Sequence, residues 1–279
     1  MKSLFISSFL TFCAIVSGWA IWQMFVDIRL VDIGVLLSAL PFLLVIAYFF
    51  IIGTARTSAH LWPMLLVSTI GLLLVTYLNL SSDTTYWFEL TLASVAGIGS
   101  WLYVFWYSKF DSRESHILQE SHLLPQFPLV DINGTTISSQ DFIGKQNLII
   151  FYRGNWCPLC MTQIKEVADN YTKLVRNGVR IALISPQPPS HTKALAKKFD
   201  VGFEYYIDKD NQAAKQLNIL AANGLPVGLQ VFGYDSDTVM PTVIITDKEN
   251  RIIFADMTDN YRVRPEPAIF EKILYGEKY

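Results

Sequence analysis

The sequence predicts an α/β domain, a mixed sheet flanked by helices, preceded by an all-α module of four transmembrane helices. Charged residues are rare over the first 107 residues and frequent from Ser108 onward. Beyond residue 126, short apolar strand patterns alternate with amphipathic helix patterns, which is typical of an α/β sheet. We therefore expect a membrane module (1–107), a stalk or linker (108–125) and a second domain (126–279).

The membrane module is predicted from four apolar stretches, each of about 20 residues, the length that crosses a hydrocarbon core of about 30 Å as a helix. They cover residues 4–26, 33–53, 61–80 and 86–107. Tryptophan and tyrosine side chains lie near their ends, where interfacial aromatic residues are enriched. We expect the protein to lie in an inner or plasma membrane, with the lipid bilayer as a partner. We expect the module to act as an anchor.

Positive charges predict the orientation of these helices. One side would carry Lys2, Arg56, Lys109 and Arg113, and the other only Arg29. Because lysine and arginine concentrate in cytoplasmic loops, we expect the N-terminus and the second domain in the cytoplasm. A cleaved signal peptide is the alternative interpretation of the first stretch, and its removal would leave this orientation unchanged.

The elements of the rest of the chain follow from local patterns. We expect residues 108–125 to form a helical stalk that continues the fourth stretch and ends before Pro125. The second domain is then predicted to contain, in order, a hairpin at 129–138, a buried strand at 147–152, an amphipathic helix at 158–177, a strand at 179–185, a helix at 190–199, a strand at 203–207, a helix at 211–219, two strands at 241–247 and 251–256, and a final helix at 267–274.

The stretch "FYRGNWCPLC" ends in two of the three cysteines of the chain. Cys157 follows a buried strand and precedes a proline suited to the first helical position, so we expect it to be the N-cap residue. The positive end of the helix would then favour the Cys157 thiolate, and Cys160 would lie near enough to form a disulfide bond with it. Trp156 would shield one side, and Arg153 would add positive charge.

A C-x-x-C pair between a strand and a helix in an α/β pattern is the thioredoxin-like arrangement, and we interpret it as a redox-active centre. A metal site would need a second ligand pair, and His116, His122 and His191 are poorly spaced for one. We expect no metal and no cofactor. A purely structural disulfide is the remaining alternative. The net charge of −2 and the lack of a basic run give no reason to expect nucleic acid.

A proline before a later strand, in "VMPTVIITD" (239–247), supports the redox interpretation. X–Pro bonds are cis in only about 5–6% of cases. Thioredoxin folds nevertheless place a cis-proline loop facing the cysteines at this point, so we expect Met240–Pro241 to be cis. The backbone of Met240 would then be free to pair with a substrate strand beside the thiol.

The chain from about Phe127 to Leu274 resembles the redoxin superfamily, in particular its peroxiredoxin-like branch, the alkyl hydroperoxide reductase/thiol-specific antioxidant family. The matching pieces are "FYRGNWCPLC", "ALISPQPPS", "YYIDKDNQAAKQLNI", "MPTVIITDKENRIIFADM" and "DNYRVRPEP". The resemblance implies a thioredoxin fold, an antioxidant oxidoreductase, Cys157 as the attacking or peroxidatic cysteine and Cys160 as its resolving partner.

One departure from the family pattern concerns the residue three positions before the active cysteine. Standard peroxiredoxins have threonine or serine there, and this chain has Gly154. That hydroxyl would help to polarise the peroxide O–O bond. Arg262 or Arg264 would stand in for the usual active-site arginine, and surface charges are the alternative interpretation of both.

Three functions compete on this basis. The first is a membrane-anchored thiol–disulfide oxidoreductase, in which Cys157 attacks a protein disulfide and Cys160 resolves the mixed disulfide. The second is a thiol-dependent peroxidase that reduces hydroperoxides, and the third is a membrane redox sensor or interaction module. Both enzymes need a thiol electron donor. We prefer the first because the local motif is that of thioredoxin, and we expect a lowered pKa for Cys157 but not for Cys160.

Overall fold

The computed structural model describes residues 1–110, 113, 116–175 and 178–276. The chain forms two compact units. One comprises Met1–Gly53 with Thr57–Lys109, and the other Thr54–Arg56 with Phe110–Tyr279. The predicted fold class is confirmed: four long apolar helices precede a mixed sheet flanked by helices.

The first unit consists of helices that are long and apolar enough to cross a membrane. They are α1 (Lys2–Val26), α2 (Leu30–Ile51), α3 (Trp62–Ser81) and α4 (Trp87–Leu102), the last continued by a π-helical turn at Tyr103–Tyr107. Their bounds lie within a few residues of the four apolar stretches. Large apolar side chains remain exposed along all four helices, which suits a lipid environment.

Polar and small residues inside the first unit occur where helices meet. Arg29 lies 2.8 Å from Asp32 and 3.3 Å from Glu89 at one end of the bundle, so its charge is paired. At the contact between α2 and α3, a Cβ added at Gly71 would lie 2.6 Å from the carbonyl oxygen of Gly34. Such glycines allow the close backbone approach on which helix packing in membranes depends.

The predicted helical stalk is wrong for the described part of the linker. Residues 116–124 form bends and turns, and residues 111, 112, 114 and 115 lie outside the described chain. Leu118 and Leu124 pack into the core of the second unit. The buried guanidinium of Arg113 donates to the carbonyl of Thr258 at 2.8 Å. The apolar positions of this segment therefore cover the sheet domain instead of extending a helix.

The second unit is built on a seven-stranded sheet. Its strands are β1 (Pro128–Asp131), β2 (Thr136–Ser138), β3 (Asn147–Phe151), β4 (Arg180–Ser185), β5 (Glu204–Ile207), β8 (Thr242–Thr246) and β9 (Ile252–Ala255). Their order in the sheet is β2-β1-β5-β4-β3-β8-β9. The pairs β3–β4 and β4–β5 are parallel and the others antiparallel, as expected for a mixed sheet. The central strand β3 is buried throughout, as its apolar run predicts.

The helices of the second unit are α5 (Pro158–Asp169), α6 (Tyr171–Leu174), α7 (Pro189–Lys198), α8 (Gln212–Gln216) and α9 (Pro267–Tyr275). The single helix predicted at 158–177 is interrupted at Asn170, and residues 176 and 177 lie outside the described chain. The side-chain Nδ2 of Asn170 donates to the carbonyl of Glu166 at 2.8 Å. Such side-chain bonds to the backbone compete with continuation of a helix.

One small element was not predicted. Strand β6 (Leu220–Ala221) pairs with β7 (Thr238–Val239) in a separate two-stranded sheet, and a 3₁₀ turn at Leu229–Phe232 lies between them. Strands of two residues are too short to show a hydrophobic period. This hairpin adjoins the site described next, because Thr238 Oγ1 donates to the carbonyl of Arg153 at 3.0 Å.

Candidate active site

The two cysteines lie where strand β3 turns into helix α5, as predicted. Cys157 is the N-cap residue, with φ −91° and ψ 107°, and Pro158 occupies the first helical position. No disulfide bond joins the two cysteines in this structure, and both are buried, with 2% of Cys157 and none of Cys160 exposed. The sequence places the pair correctly, and the structure adds that neither sulfur has more than minimal access to solvent.

A buried arginine faces both sulfurs. Nη2 of Arg264 lies 3.4 Å from Sγ of Cys160 and 3.9 Å from Sγ of Cys157. The guanidinium is held by the carbonyl of Tyr261 at 3.0 Å from Nε and by Oε1 of Gln163 at 2.9 Å from Nη1. Burial alone would lower the pKa of Arg264. The negative charge of the cysteines raises this pKa by more than burial lowers it, so the side chain stays protonated. A buried cation of this kind requires an anion beside it.

The expected order of the thiol pKa values is wrong. Burial raises the pKa of Cys160, but the hydrogen bond from Cys157, the charge of Arg264 and a backbone hydrogen bond from Arg153 outweigh it and lower the pKa to about 5. Burial and then the hydrogen bond to Cys160 raise the pKa of Cys157 well above its ordinary value. The side chain of Cys157 makes no capping hydrogen bond to the helix amides, on which the expectation rested.

Arg153 and Trp156 pack against each other beside the pair. The guanidinium of Arg153 lies 4.5 Å from the ring centroid of Trp156 and 5.7 Å from that of Tyr261, and it donates to the carbonyl of Gly224. Among the described residues, Nε of Arg153 and Nε1 of Trp156 are buried without a hydrogen-bond partner. Arg153 thus contributes its backbone to Cys160, while its side chain stacks on aromatic rings.

Gly154 has a steric reason to lack a side chain. Its φ of +146° lies in a region that L-residues rarely adopt, and an added Cβ would lie 2.8 Å from the Trp156 ring. The missing hydroxyl at this position is therefore enforced by the local fold.

The predicted cis-proline is also wrong. Every peptide bond in the described chain is trans, that of Met240–Pro241 included. The N–H of Met240 donates to the carbonyl of Ile219 at 2.7 Å, and its carbonyl accepts from Thr242 Oγ1 at 2.8 Å. Because the bond to Ile219 continues the pairing of β6 with β7, the backbone of Met240 is not free to bind a substrate strand.

The remaining predicted residue, Arg262, is completely buried, and its N–H donates to Oδ1 of Asn260 at 3.0 Å. Gln163 was not singled out from the sequence. It lies one turn after Cys160 on α5, and that spacing could have indicated a shared helix face. The described residues contain no group of three or more histidine, cysteine or acidic side chains that could hold a metal ion.

The comparisons with known proteins concern this second unit. The model of the AhpC/TSA family matches residues 121–255, which include the cysteine pair and most of the sheet. Over this segment, referred to below as the AhpC/TSA domain, the chain is similar to that family. The resemblance to the peroxiredoxin-like branch is confirmed, and its thioredoxin-like fold agrees with the mixed sheet and flanking helices.

Relatives of the AhpC/TSA domain include two plant proteins named chloroplastic peroxiredoxin Q. That of Populus jackii is 32% identical over 120 residues, 43% of this chain and 56% of its own. That of Gentiana triflora is 32% identical over 97 residues, 35% of this chain and 45% of its own. The chain thus spans about half the length of these curated relatives. The crystal structure of peroxidoxin BcpB from Mycobacterium tuberculosis aligns with a TM-score of 0.47 and 14% identity, over 58% of this chain and 99% of that one.

Proposed function

We propose that this protein is a membrane-anchored, thiol-dependent peroxidase that reduces hydroperoxides with the Cys157–Cys160 dithiol. The observation that carries the proposal is the buried guanidinium of Arg264, which faces both sulfurs at 3.4 and 3.9 Å. It stabilises one thiolate in the pair at neutral pH. It can also stabilise negative charge as the peroxide O–O bond breaks.

The reaction uses both thiols. One thiolate attacks a peroxide oxygen, so that an S–O bond forms, the O–O bond breaks, and the sulfur is oxidised to a sulfenic acid. The leaving hydroxide or alkoxide takes up a proton. The second thiol loses its proton and attacks the sulfenic sulfur, forming the disulfide and releasing water. An external dithiol donor returns two electrons by thiol–disulfide exchange.

Burial of the pair favours a small oxidant over a protein disulfide. At 2% and 0% exposure, neither cysteine offers a surface to a folded substrate protein, whereas hydrogen peroxide has only two heavy atoms. The N–H of Met240, with which a substrate strand would pair, is already bonded to the carbonyl of Ile219 beside the hairpin of β6 and β7. The names of the plant relatives, chloroplastic peroxiredoxin Q, support the same choice.

The thiol–disulfide oxidoreductase remains the second candidate, since the C-x-x-C pair at a helix start favours it. It would require the Cys157 region to open before a protein disulfide could reach either sulfur. A redox sensor would instead show neither turnover and bind a partner in one redox state only.

The test compares two oxidants on the full chain in detergent. The reduced protein is mixed with hydrogen peroxide or with insulin, in each case with a dithiol donor, and turnover is followed. We expect peroxide consumption to exceed insulin reduction clearly, and a Cys157→Ser/Cys160→Ser double variant to show neither. Insulin reduction without peroxide consumption would reject the peroxidase in favour of the oxidoreductase.

We further propose that the four apolar helices span an inner or plasma membrane with both the N-terminus and the AhpC/TSA domain in the cytoplasm. The length and apolar character of the helices support insertion, and the lysine and arginine distribution supports the orientation. A cytoplasmic domain would draw its electrons from the reducing thiol pool there.

A further inference from the structure

A short segment between α2 and α3 belongs to the second unit. The connection covers residues 52–61, and Thr54–Arg56 within it are part of the unit that contains the cysteine pair. We propose that Arg56 is a positioning residue of the dithiol site, which holds the backbone at Arg264 against α5 and so keeps the Arg264 guanidinium beside the two sulfurs. The proposal deepens the proposed peroxidase function and rests on it for the effect on peroxide turnover.

The guanidinium of Arg56 is bonded to two segments of the second unit. Nη1 lies 3.2 Å from Oε1 of Glu166 on α5, and Nη2 donates to Oε2 of the same carboxylate. Nε donates to the carbonyl of Arg264 at 3.2 Å, and Nη2 to that of Pro265 at 3.4 Å. A bidentate pair with a carboxylate fixes the plane of the guanidinium, so its donors reach both carbonyls in one orientation.

Two side chains of α5 hold Arg264 from opposite ends of the residue. Oε1 of Gln163 accepts from Nη1 of the Arg264 side chain at 2.9 Å, while Glu166 binds Arg56, which binds the Arg264 carbonyl. Gln163 and Glu166 are three residues apart, so they lie on neighbouring turns of one helix face, and Cys160 lies three residues earlier. The hydrogen bonds therefore fix both the backbone and the side chain of Arg264 relative to the helix that carries the cysteines.

Arg264 needs such support because it lies outside the helices and strands. Strand β9 ends at Ala255 and α9 begins at Pro267, so no regular hydrogen-bond ladder holds the intervening backbone. The contacts of Nη2 with the sulfurs are already long, at 3.4 and 3.9 Å. A misplacement of about 1 Å in a stabilising group can cost about 10²-fold in rate.

The segment that carries Arg56 is itself fixed within the second unit. Ala55 is completely buried, and Oγ1 of Thr54 accepts from the N–H of Arg56 at 3.3 Å and donates to its carbonyl at 2.6 Å. The side chains of Arg56 and Glu166 are 25% and 29% exposed, so their ion pair contributes little to stability. Its consequence is the position of Arg264. A role as a positive charge beside the membrane alone would be served equally well by lysine.

The pH profile of the thiols reports the position of Arg264 without any peroxide. The charge of Arg264 lowers the pKa of both thiols, and Arg153 also lowers that of Cys157. The buried phenol of Tyr152 stays neutral, because burial raises its pKa. Displacement of Arg264 should therefore raise the pH at which the pair becomes reactive, whereas a loss of stability alone would leave that midpoint unchanged.

The first test measures this midpoint on the full chain in detergent, with Cys13→Ala so that only the active pair reacts. Each reduced variant is treated with iodoacetamide across the pH range in which cysteines titrate, and mass spectrometry follows alkylation of the pair. Arg56→Gln should raise the midpoint by about 0.5–1 unit, part of the shift of about 1–3 units that a neighbouring opposite charge produces. Arg56→Lys keeps the charge but loses the fork, so its midpoint should lie between those of the parent and Arg56→Gln. Arg251→Gln, at an exposed arginine that also donates to a backbone carbonyl, should keep the parental midpoint.

Glu166→Met separates positioning from a long-range charge effect. Removing a negative charge would by itself favour the thiolates and lower the midpoint, but loss of the partner of Arg56 should release Arg264 and raise it. Asp169→Asn is the matched control, since it removes an exposed carboxylate of α5 that is paired with Lys165. That control should not raise the midpoint. A parental or lowered midpoint in Glu166→Met overturns the positioning role.

Stopped-flow kinetics with hydrogen peroxide separates this inference from the proposed function. Arg56→Gln should react about tenfold more slowly than the parent, and Arg56→Lys should lie between them. The expected midpoints in a parent that consumes no peroxide would reject the peroxidase and keep the positioning role. An Arg56→Gln protein with parental midpoint and rate, beside an active parent, rejects the positioning role alone. Near-UV circular dichroism checks folding, and if Arg56→Gln is unfolded, Arg56→Lys and Glu166→Met decide by the same criteria.

Discussion

At the scale of single residues, Arg264 has the largest expected effect on reactivity. Its guanidinium is buried, stays charged and lies 3.4 Å from the Cys160 sulfur. Arg264→Gln removes that charge, so the pKa of Cys160 should rise from about 5 and the rate constant with peroxide should fall. Loss of one such stabilising group typically costs roughly 10²–10³-fold. Stopped-flow kinetics measures the rate constant.

Two further variants sharpen this prediction. Arg264→Lys keeps a positive charge but loses the planar guanidinium that contacts Gln163 and the sulfurs together. Its rate constant with peroxide should therefore lie between those of the parent and Arg264→Gln. Arg251→Gln, at an exposed arginine in the turn before β9, should react like the parent. An Arg264→Gln protein with parental kinetics would show that the guanidinium has no part in the reaction.

The low pKa of Cys160 also predicts how stability depends on pH. Its folded pKa of about 5 lies below its ordinary value of 9.0, so the unfolded chain binds more protons between these limits. The stabilisation is fully present above the ordinary value and is lost as the pH falls through about 5. Between about pH 7.5 and 5, the melting temperature of the reduced parent should therefore fall more than that of a Cys157→Ser/Cys160→Ser double variant, in which neither thiol titrates.

Comparing the two proteins removes other titrations from this measurement. Burial raises the pKa of Asp208 to about 6, and that contribution is present in both proteins and cancels. Differential scanning fluorimetry in the presence of a reductant gives the two melting curves. Parallel curves would mean that no thiolate forms in the cysteine pair.

Gly154 allows a prediction about the missing hydroxyl. Gly154→Ser would place the hydroxyl three residues before Cys157, but its Cβ would lie 2.8 Å from the Trp156 ring at a φ of +146°. We expect a destabilisation of at least about 1–3 kcal/mol from backbone strain alone, and no gain in peroxide rate. Denaturant unfolding and stopped flow measure the two effects.

Gly144 is the matched control for that variant. It also has a positive φ, +95°, but an added Cβ would meet no atom within 4 Å. Gly144→Ala therefore reports strain without a clash and should be less destabilising than Gly154→Ser. A serine at 154 that accelerates the peroxide reaction would contradict this prediction.

At the scale of elements, the sequence predicted those whose patterns are long enough to show a period. Strands β3, β4 and β8 are continuous apolar runs, and α5 begins at a proline after an N-cap cysteine, so the cysteine pair could be located. The hairpin of β6 and β7 has two residues in each strand and carries no such signal.

What the sequence could not predict arises from contacts between distant segments. The pKa values of both thiols are lowered by Arg264, more than 100 residues from the pair, and Arg264 also donates a hydrogen bond to Gln163. Whether the N–H of Met240 is free for a substrate depends on Ile219, whose carbonyl accepts a hydrogen bond from it. Neither pairing leaves a local pattern in the chain.

Arg113 links the linker to the loop before β8 and provides an element-scale prediction. Its Nη1 donates to the carbonyls of Pro241 at 3.2 Å and Thr258 at 2.8 Å, in buried surroundings. Arg113→Met would leave these acceptors without that donor, at about 1–3 kcal/mol for each buried group. We expect a loss of roughly 2–6 kcal/mol in denaturant unfolding of the domain.

The control for Arg113 is another arginine that donates to a backbone carbonyl. Arg251 lies 3.5 Å from the carbonyl of Ser121 but is exposed, so water can replace the bond. Arg251→Met should change stability by less than about 0.5 kcal/mol. Equal effects of the two substitutions would show that Arg113 does not support the loop before β8.

At the scale of the whole molecule, an apolar helical unit and a domain with a cysteine pair occur in one chain, and the proposed orientation depends on the charges between and around the helices. The only positive residue on the predicted outer side, Arg29, is paired with Asp32 and Glu89. Arg113 is buried after folding, but orientation is set during insertion, when it still counts as a juxtamembrane charge.

The proposed orientation can be tested by changing the distribution of positive charges on the two sides of the membrane. Alkaline phosphatase fused after Phe110 should be inactive and a cytoplasmic reporter active, because Lys2, Arg56 and Lys109 hold their ends of the helices inside. Replacing these three by glutamine while adding lysines beside Arg29 should raise phosphatase activity. A parent fusion with strong phosphatase activity would place the dithiol in an oxidising compartment. The pair would then encounter donors other than the cytoplasmic thiols, and the electron source proposed for the peroxidase would be wrong.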